Sequence, residues 1–273
     1  MRLLLVCATP MELRACLALL PVSGKTVPAK MPSSLDGFNP RDRLDVPPAL
    51  RLQYCTLEPL VCGIGPVASA LAVGHRLGRV REGQSDDCLQ GILNMGVAGT
   101  YDADAAPVGS LVLITEESFP EYGVWHHQQN DTHMPSPLPF PQAEISGREI
   151  FTRLVLEPDR ALGNMGMNWN SELPRGAGVT VAGVSGTPQR AGYIADLGSG
   201  LVENMEGFSL ALGAAAARIP FVELRAISNK AGQRPPHGWD MTAALAALGQ
   251  GMKYLLTPLL CGNATARDAS ASP

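Results

Sequence analysis

Short apolar runs alternate along this chain with Ala- and Leu-rich stretches, and this alternation restricts the folds that the chain can adopt. Residues 2–8 (RLLLVCA), 91–99 (GILNMGVAG) and 221–228 (FVELRAIS) have the length and composition of buried strands. Stretches with helical spacing of apolar residues lie between them, as at 66–78 and 241–260. Strands that alternate with helices are typical of α/β proteins. A chain of 273 residues is long enough for one such domain or for two smaller ones.

The composition favours a compact protein and argues against a nucleic-acid partner. Hydrophobic residues make up 45% of the chain and charged residues only 17%, so a large core is expected. The 21 basic residues are outnumbered by 25 acidic ones, which gives a formal net charge of −4. No block of Lys or Arg is present that would neutralise a run of phosphates.

Cysteine usage and the apolar stretches indicate a reduced, cytoplasmic protein that needs no membrane. The six cysteines are scattered without a C-x-x-C pair, which is typical of free intracellular thiols. The apolar core of the N-terminal run is only about six residues long, shorter than an export signal requires. The stretch 241–260 contains Lys253 and Pro258, and we expect it to form a core-facing helix.

Three segments do not follow the strand and helix pattern. Residues 21–48 and 118–141 are rich in Pro, Gly and polar residues and are predicted to be surface excursions. Because long ordered loops in compact domains tend to be functional, the second excursion is a candidate lid or pocket wall. Residues 262–273 are predicted to form a disordered tail, which leaves 1–261 for the folded part.

Polar residues follow several of the predicted strands. They are Glu12, the Gly-rich corner 63–65, the acidic corner 203–207, and the pair Ser228 and Asn229. Ligands of open α/β sheets bind at the carboxyl ends of strands, so these residues are candidates for one shared pocket. Each also has a purely structural alternative, as a first-turn acid, a strand-to-helix turn or a helix cap.

The order of six motifs resembles the nucleoside phosphorylase and nucleosidase family. These are ATPMEL, CGIGPVASA, NMGVAG, VGSLVLI, VENMEGFSLA and VELRAISNKAG, and the resemblance covers about residues 1–260. The resemblance implies a single-domain nucleosidase at 1–261, folded as a three-layer α/β/α sandwich around a mixed, twisted central sheet. It also implies a small-molecule nucleoside substrate, no cofactor, and a homo-oligomer, dimer or higher, in which a neighbouring subunit helps to form the pocket.

The resemblance assigns roles on the sugar side of the pocket. Glu206 matches the acid that accepts hydrogen bonds from the ribose 2′- and 3′-hydroxyls, a role that suits a carboxylate because it only accepts. Met205 matches the residue that packs against the sugar. Glu12 matches the acid that orients and deprotonates the attacking water in the hydrolytic branch.

Further positions correspond to the base side of the pocket. Ala98 and Gly99 match small residues that let the backbone approach the nucleoside. Ser185 and Thr187, in the motif GVSGT, match the segment that contacts the base, and Ser228 belongs to the same wall.

One departure from the phosphorolytic branches concerns the nucleophile. Those branches hold phosphate with arginines near the first and third strand ends, whereas this chain has Glu12 at the first corner and no Arg near 63–65. Arg14 is the one local residue that would favour phosphate. An acid at this place repels phosphate, so the sequence predicts water as nucleophile.

A second departure concerns the base. Adenine-specific nucleosidases have Ser-Asp where this chain has Ser228 and Asn229. A 6-oxopurine presents a carbonyl oxygen in place of the adenine amino group, and a carboxylate would be left unpaired against it. The Asn229 amide donates to O6 and accepts from a protonated N7, which predicts a 6-oxopurine leaving group.

Within the family, a hydrolase with these signatures acts on a nucleoside whose 5′ side carries an aryl group and a carboxylate. Phe119, Tyr122 and Trp125 are candidates for the aryl pocket, and Arg190 is a candidate for the carboxylate. His126, His127 and His133 are also close in sequence, but no zinc-site pattern accompanies them, and no metal is expected.

Two other functions remain open at this level. A phosphate-dependent phosphorylase or another 6-oxopurine nucleosidase would be distinguished by its need for phosphate and its tolerance of a bare 5′-hydroxyl. A non-catalytic nucleoside-binding relative is the other alternative, since fold does not guarantee chemistry. A dinucleotide-binding enzyme is disfavoured because the first strand is followed by CATPME and not by G-x-G-x-x-G.

Overall fold

The computed structural model describes residues 1–21, 46–81, 88–125, 135–136, 138–167, 169, 172–234 and 238–261. Most of the predicted excursion 21–48, the three histidines of the 118–141 excursion and the tail 262–273 lie outside the described residues. The predicted strands and helices named above are all present. The strands are β1 (Arg2–Cys7), β2 (Leu50–Arg51), β3 (Thr56–Val61), β4 (Gly91–Thr100), β5 (Leu111–Ser118), β6 (Val124–Trp125), β7 (Pro135–Ser136), β8 (Ala143–Ile145), β9 (Arg148–Ile150), β10 (Arg153–Val155), β11 (Arg175–Thr180), β12 (Val202–Asn204) and β13 (Phe221–Lys230). The helices are α1 (Pro10–Leu17), α2 (Pro66–Arg81), α3 (Pro158–Asn164), α4 (Pro188–Gly198), α5 (Gly207–Ala217) and α6 (Met241–Cys261).

The central sheet is mixed, as the sequence predicts. Strand β1 pairs in parallel with β3 and β4, and β4 pairs in parallel with β13. Strand β12 is antiparallel to β4 but parallel to β11, which in turn pairs in parallel with β5. Because β13 also pairs antiparallel with β5, the strands β4, β12, β11, β5 and β13 form a closed circuit at the centre of the sheet.

Helices cover both faces of this sheet and give the predicted three layers. Successive side chains of a strand point to opposite faces, so Leu3 and Leu5 of β1 pack in one core and Leu4 and Val6 in another. The first core contains buried residues of α1, α3 and α6, and the second contains buried residues of α2 and α5. The alternation in the apolar run of β1 therefore places it between two helical layers.

Local sequence signals account for where two site-forming helices begin. Thr9 is the N-cap of α1 and Pro10 follows it, in the position where a missing N–H costs nothing. Before α2, Gly63 and Gly65 have φ values of +82° and +94°, a region that residues with a Cβ rarely adopt. The Gly-rich corner is thus a tight strand-to-helix turn, and Pro66 starts the helix after it.

The described part of the 118–141 excursion contains a short hairpin. Val124 of β6 pairs with Ser136 of β7 in antiparallel register.

Within the described residues, every helix is either too short or too polar to cross a lipid bilayer.

Candidate active site

A cavity of about 320 Å³ lies where β1, β4, β12 and β13 end. It is lined by eight of the residues singled out in the sequence, namely Glu12, Ala98, Gly99, Ser185, Met205, Glu206, Ser228 and Asn229. Residues far apart in the chain meet here because strands β4 and β13 run in parallel, so that their ends lie side by side.

Glu12 has a structural role and also lines the cavity. The Thr9 hydroxyl accepts a hydrogen bond from the Glu12 N–H at 3.2 Å, and Glu12 Oε2 accepts from the Thr9 N–H at 2.8 Å, which is a capping box. The Thr9 hydroxyl also lies 2.7 Å from Oε2, and Oε1 accepts from the Val97 N–H at 2.9 Å. The side chain is therefore fixed in orientation, with both lone pairs of Oε2 occupied, while Oε1 keeps one for a further donor.

The surroundings of Glu12 make it a better proton acceptor than an exposed glutamate. The residue is only 3% exposed. Burial raises its pKa first, and the nearby Glu206 carboxylate raises it further, against the opposing hydrogen bonds from Val97 and Thr9. As the pH falls, Glu12 consequently takes up a proton earlier than an ordinary carboxyl group would.

Glu206 is held at the start of α5 by two groups from other elements. Its Oε1 accepts from the Gly65 N–H at 3.1 Å, so the tight turn before α2 serves the cavity directly. Its Oε2 lies 3.5 Å from Nη1 of Arg225. The backbone N–H of Glu206 donates to Asn204 Oδ1 at 3.0 Å.

Arg225 is a central residue that the sequence analysis passed over. It is 1% exposed and lies in the middle of β13, where its Nε donates to Glu223 Oε1 at 2.7 Å and its Nη2 to Asn204 Oδ1 at 3.3 Å. Burial lowers the pKa of Arg225, but the charges of Glu223, Glu206 and Glu117 outweigh burial and raise it. The sequence signal that could have revealed its role is a charged residue inside an apolar strand, because a buried charge requires partners.

Glu117 stabilises the corner at residues 204–208, where α5 starts. Its two oxygens accept from the Asn204 amide and from the Thr180 hydroxyl, both at 2.7 Å. Asn204 Oδ1 accepts from the backbone N–H groups of Glu206 and Gly207, and Thr180 Oγ1 accepts from that of Phe208 at 2.8 Å. Glu117 thus orients the two side chains that satisfy the first N–H groups of α5.

Ser228 and Asn229 reach the cavity through an irregularity in β13. The register with β4 shifts between Ile227 and Asn229, so Ser228 is an extra residue and the strand bends. The Asn229 carbonyl oxygen accepts from the Ser228 hydroxyl at 2.8 Å, and its amide nitrogen donates to Lys230 O at 2.8 Å. One N–H and one lone pair of the amide remain for a ligand.

Ser185 is tied to Glu203, an acid of the cavity to which the sequence analysis assigned no role of its own. The Ser185 N–H donates to Glu203 Oε1 at 2.8 Å, and its hydroxyl bonds to Oε2. The Tyr101 hydroxyl donates to the same Oε2 at 3.0 Å, and burial followed by the Glu203 charge raises the pKa of Tyr101. Glu203 therefore fixes the wall around Ser185.

Several residues predicted to line the pocket lie elsewhere. Phe119 packs on Phe208 with ring centroids 6.0 Å apart, and Tyr122 lines a separate cavity with Pro120 and Phe151. Neither of these aromatic residues is part of the described lining of the main cavity. Trp125 belongs to β6 by its backbone, and its side chain is outside the described residues.

Thr187 and Arg190 also differ from the expected placement. Thr187 is the N-cap of α4, and its carbonyl oxygen lies 2.6 Å from the position that a Cβ on Gly232 would occupy. Arg190 is engaged by Glu121, at 2.7 Å, and by Gly183 O, at 2.9 Å. Neither lines the main cavity, whereas Arg234, Trp239 and Met241, which follow β13, do line it without having been predicted.

Comparisons with known proteins agree with this fold. Residues 59–257 match the family model described as Phosphorylase superfamily. The chain is 32% identical over 203 residues to a futalosine hydrolase of Thermus thermophilus, covering 72% of this chain and 80% of that protein. It is 31% identical over 191 residues to a futalosine hydrolase of Streptomyces coelicolor, covering 69% of this chain and 74% of that protein.

Solved structures share the fold at low sequence identity. A 5′-methylthioadenosine/S-adenosyl homocysteine nucleosidase of Campylobacter jejuni superposes with a TM-score of 0.61 at 17% identity, covering 95% of this chain and 99% of that chain. A futalosine hydrolase mutant of Helicobacter pylori gives a TM-score of 0.60 at 15% identity, covering 94% and 98%.

A substitution at Gly96 tests the packing of Arg225 against Glu12. A Cβ on Gly96 would lie 3.1 Å from Glu12 Oε1 and would collide with Nη1 of Arg225. We expect Gly96→Ala to lower the free energy of unfolding, measured by urea denaturation, by about 1–3 kcal/mol, as overpacking does.

Gly74→Ala is the matched control. Gly74 lies in α2 with no atom within 4 Å of the added Cβ, so this variant is expected to gain up to about 1 kcal/mol from helix propensity. Equal effects of the two substitutions would show that Gly96 is not a close contact.

Proposed function

The chain belongs to the phosphorylase superfamily, and we propose that it is a futalosine hydrolase. It cleaves the N-glycosidic bond of futalosine with water and releases hypoxanthine and dehypoxanthine futalosine, a step of the futalosine route to menaquinone. The observation that carries this proposal is the meeting of Glu12, Glu206 and Asn229 in one cavity. These side chains supply an acceptor for water, an acceptor for the ribose diol and an amide for the purine.

Glu12 acts as the general base. N7 of the purine takes up a proton from solvent, a lone pair of the water oxygen forms the bond to C1′, and the C1′–N bond breaks with its electron pair going to the purine. Glu12 takes a proton from the water and later returns it to solvent. The hydrogen bonds from Val97 and Thr9 hold the carboxylate in place, and the raised pKa favours proton uptake. The carboxylate charge also stabilises the oxocarbenium-like sugar.

Glu206 binds the ribose. The Gly65 N–H and Arg225 fix its carboxylate from two sides, and its free lone pairs accept from the vicinal hydroxyls. Met205, which also lines the cavity, packs against the sugar.

Asn229 recognises the leaving base. Its remaining N–H donates to O6 of hypoxanthine, and its carbonyl accepts from a protonated N7, while Ser228 and Lys230 hold the amide. Ala98, Gly99 and Ser185 form the adjoining wall. A site built for this pattern rejects a base with donors and acceptors exchanged, because buried polar groups would be left unpaired.

The charge of the cavity favours water over phosphate. Its lining includes three carboxylates, Glu12, Glu203 and Glu206. The guanidinium of Arg225 nearby is already engaged by Glu223 and Glu206. A phosphate dianion at the position of the attacking water would meet Glu12 at close range, so phosphorolysis is disfavoured.

We propose that the protein works as a cytoplasmic homo-oligomer. Cys7 and Cys16 have sulfurs 3.9 Å apart and are free thiols, which suits a reducing compartment. Three exposed apolar residues lie at the start of α2: Ile64 in the preceding turn, Val67 and Leu71, which are 58%, 82% and 74% exposed. Val67 and Leu71 lie one helical turn apart. Because Ile64 also lines the cavity, a second copy seated on this stripe would extend the cavity wall.

Product analysis tests the reaction. We expect the purified protein to release hypoxanthine from futalosine at the same rate with and without phosphate, and not to release adenine from methylthioadenosine. Glu12→Gln is the control for the chemical step, and loss of a general base is expected to lower kcat by about 10²–10⁴-fold. Phosphate-dependent release of hypoxanthine from inosine would instead assign the chain to the phosphorylases.

Asn229→Asp tests base recognition. The variant loses the donor to O6, so kcat/KM for futalosine is expected to fall by about 10–100-fold, while cleavage of the adenine analogue aminofutalosine rises. An unaltered ratio of kcat/KM for the two substrates would remove Asn229 from base selection.

The oligomer is tested by placing charges on the apolar stripe. Val67→Asp with Leu71→Asp is expected to lower the mass measured by light scattering to that of a monomer, 28.8 kDa. Val155→Asp is the matched control, since Val155 is equally exposed, at 72%, on a different surface. A monomeric wild type would contradict the proposal.

A further inference from the structure

One wall of the cavity takes no part in the roles assigned above. It follows β13 and presents Arg234, Trp239 and Met241 to the cavity. This wall is anchored to the strand end, because the Asp240 N–H donates to Ser228 O at 2.8 Å and Trp239 forms a backbone bridge with Asn229.

The position of Trp239 is fixed at both of its ends. Its backbone pairs with Asn229, and its indole N–H donates to Gln233 O at 2.8 Å. The next helix begins directly afterwards, where Asp240 Oδ1 accepts from the Ala243 N–H at 2.8 Å. The indole is consequently a preset surface of the cavity.

Arg234 is stacked on this indole. Its guanidinium carbon lies 5.0 Å from the centre of the Trp239 ring, within cation–π distance. Among the described residues, no carboxylate lies within ion-pair distance of Arg234. Stacking on Trp239 therefore orients the N–H donors of Arg234, and no carboxylate among the described residues forms an ion pair with them.

The charges in the cavity lining favour Arg234 as the contact for an anionic group of a ligand. In the described part of the lining, Arg234 is the sole cation, whereas Glu12, Glu203 and Glu206 are all acids. Within this described lining, an anionic group of a ligand is repelled by the three acids and attracted by Arg234. The thioethers of Met11 and Met241 and the indole of Trp239 supply apolar surface in the same lining, which suits a flat aryl ring.

We infer that Arg234, held on Trp239, is the residue that binds the carboxylate of an aryl carboxylate at the 5′ end of the substrate. The inference rests on the proposed function, since futalosine carries such a group. The carboxylate site is thus assigned to Arg234, which lines the cavity, and no longer to Arg190, which is engaged by Glu121 and Gly183.

The test compares futalosine with its methyl ester, which removes the negative charge and keeps the aryl ketone. Arg234→Met keeps the aliphatic stem that covers Trp239 and removes the charge. Because this variant loses a charge-assisted hydrogen bond to the carboxylate, its kcat/KM for futalosine is expected to fall by about 10–100-fold. The loss should appear mainly in KM, because the group lies far from the reacting bond. The kcat/KM for the ester should be the same in both proteins.

Two further variants sharpen the test. Arg234→Lys keeps the charge and is expected to recover part of the preference for futalosine over its ester. Arg190→Met is expected to leave the ratio of kcat/KM for the two substrates unchanged. If Arg190→Met abolishes the preference and Arg234→Met does not, the carboxylate site belongs to Arg190 and the inference is wrong.

Equilibrium binding separates this inference from the proposed function. Dissociation constants of both ligands are measured by calorimetry in the Glu12→Gln background, where futalosine is not consumed. If the wild type does not cleave futalosine but Arg234→Met weakens its binding selectively, the proposed function fails and the subsite stands. If futalosine is cleaved but Arg234→Met weakens futalosine and ester equally, the function stands and the subsite is refuted.

Discussion

The guanidinium of Arg225 is buried at the centre of the sheet, and the geometry of the cavity depends on how its charge is matched. Glu223 comes from the same strand, whereas Glu206 and Asn204 come from the corner that starts α5. A buried charge without partners would be strongly destabilising, so the corner and β13 are held at one distance from each other. The side chain that fixes this distance is also next to Glu12, across Gly96.

The same cluster holds more acid than its single arginine neutralises. Glu117, Glu206 and Glu223 are all buried near Arg225. Burial, followed by the charge of Glu223, raises the pKa of Glu117 well above its usual range, and burial also raises the pKa of Glu223. Through its hydrogen bonds to Asn204 and Thr180, Glu117 connects this cluster to the start of α5.

Structural roles and proposed functional roles coincide in several of these residues. Glu12 completes a capping box and at the same time faces the cavity, and the turn at Gly65 both starts α2 and donates to Glu206. Asn229 ends a strand and keeps one donor and one acceptor for a ligand. The choice between a cap and a site residue is therefore not exclusive, because a helix N-terminus at a strand end satisfies both requirements with one side chain.

The sequence by itself determined the strands, the helices and the polar corners, since these follow from the spacing of apolar residues and from Gly, Pro and capping residues close by in the chain. It also singled out Glu12, Glu206 and Asn229, close to the ends of β1, β12 and β13, and all three line the cavity. Only the tertiary structure decided that Arg234 and not Arg190 lines the cavity, and that Arg225 joins the acids around it. These placements depend on the paths of loops and on charge pairing between residues distant in sequence, and neither leaves a local pattern that can be read along the chain.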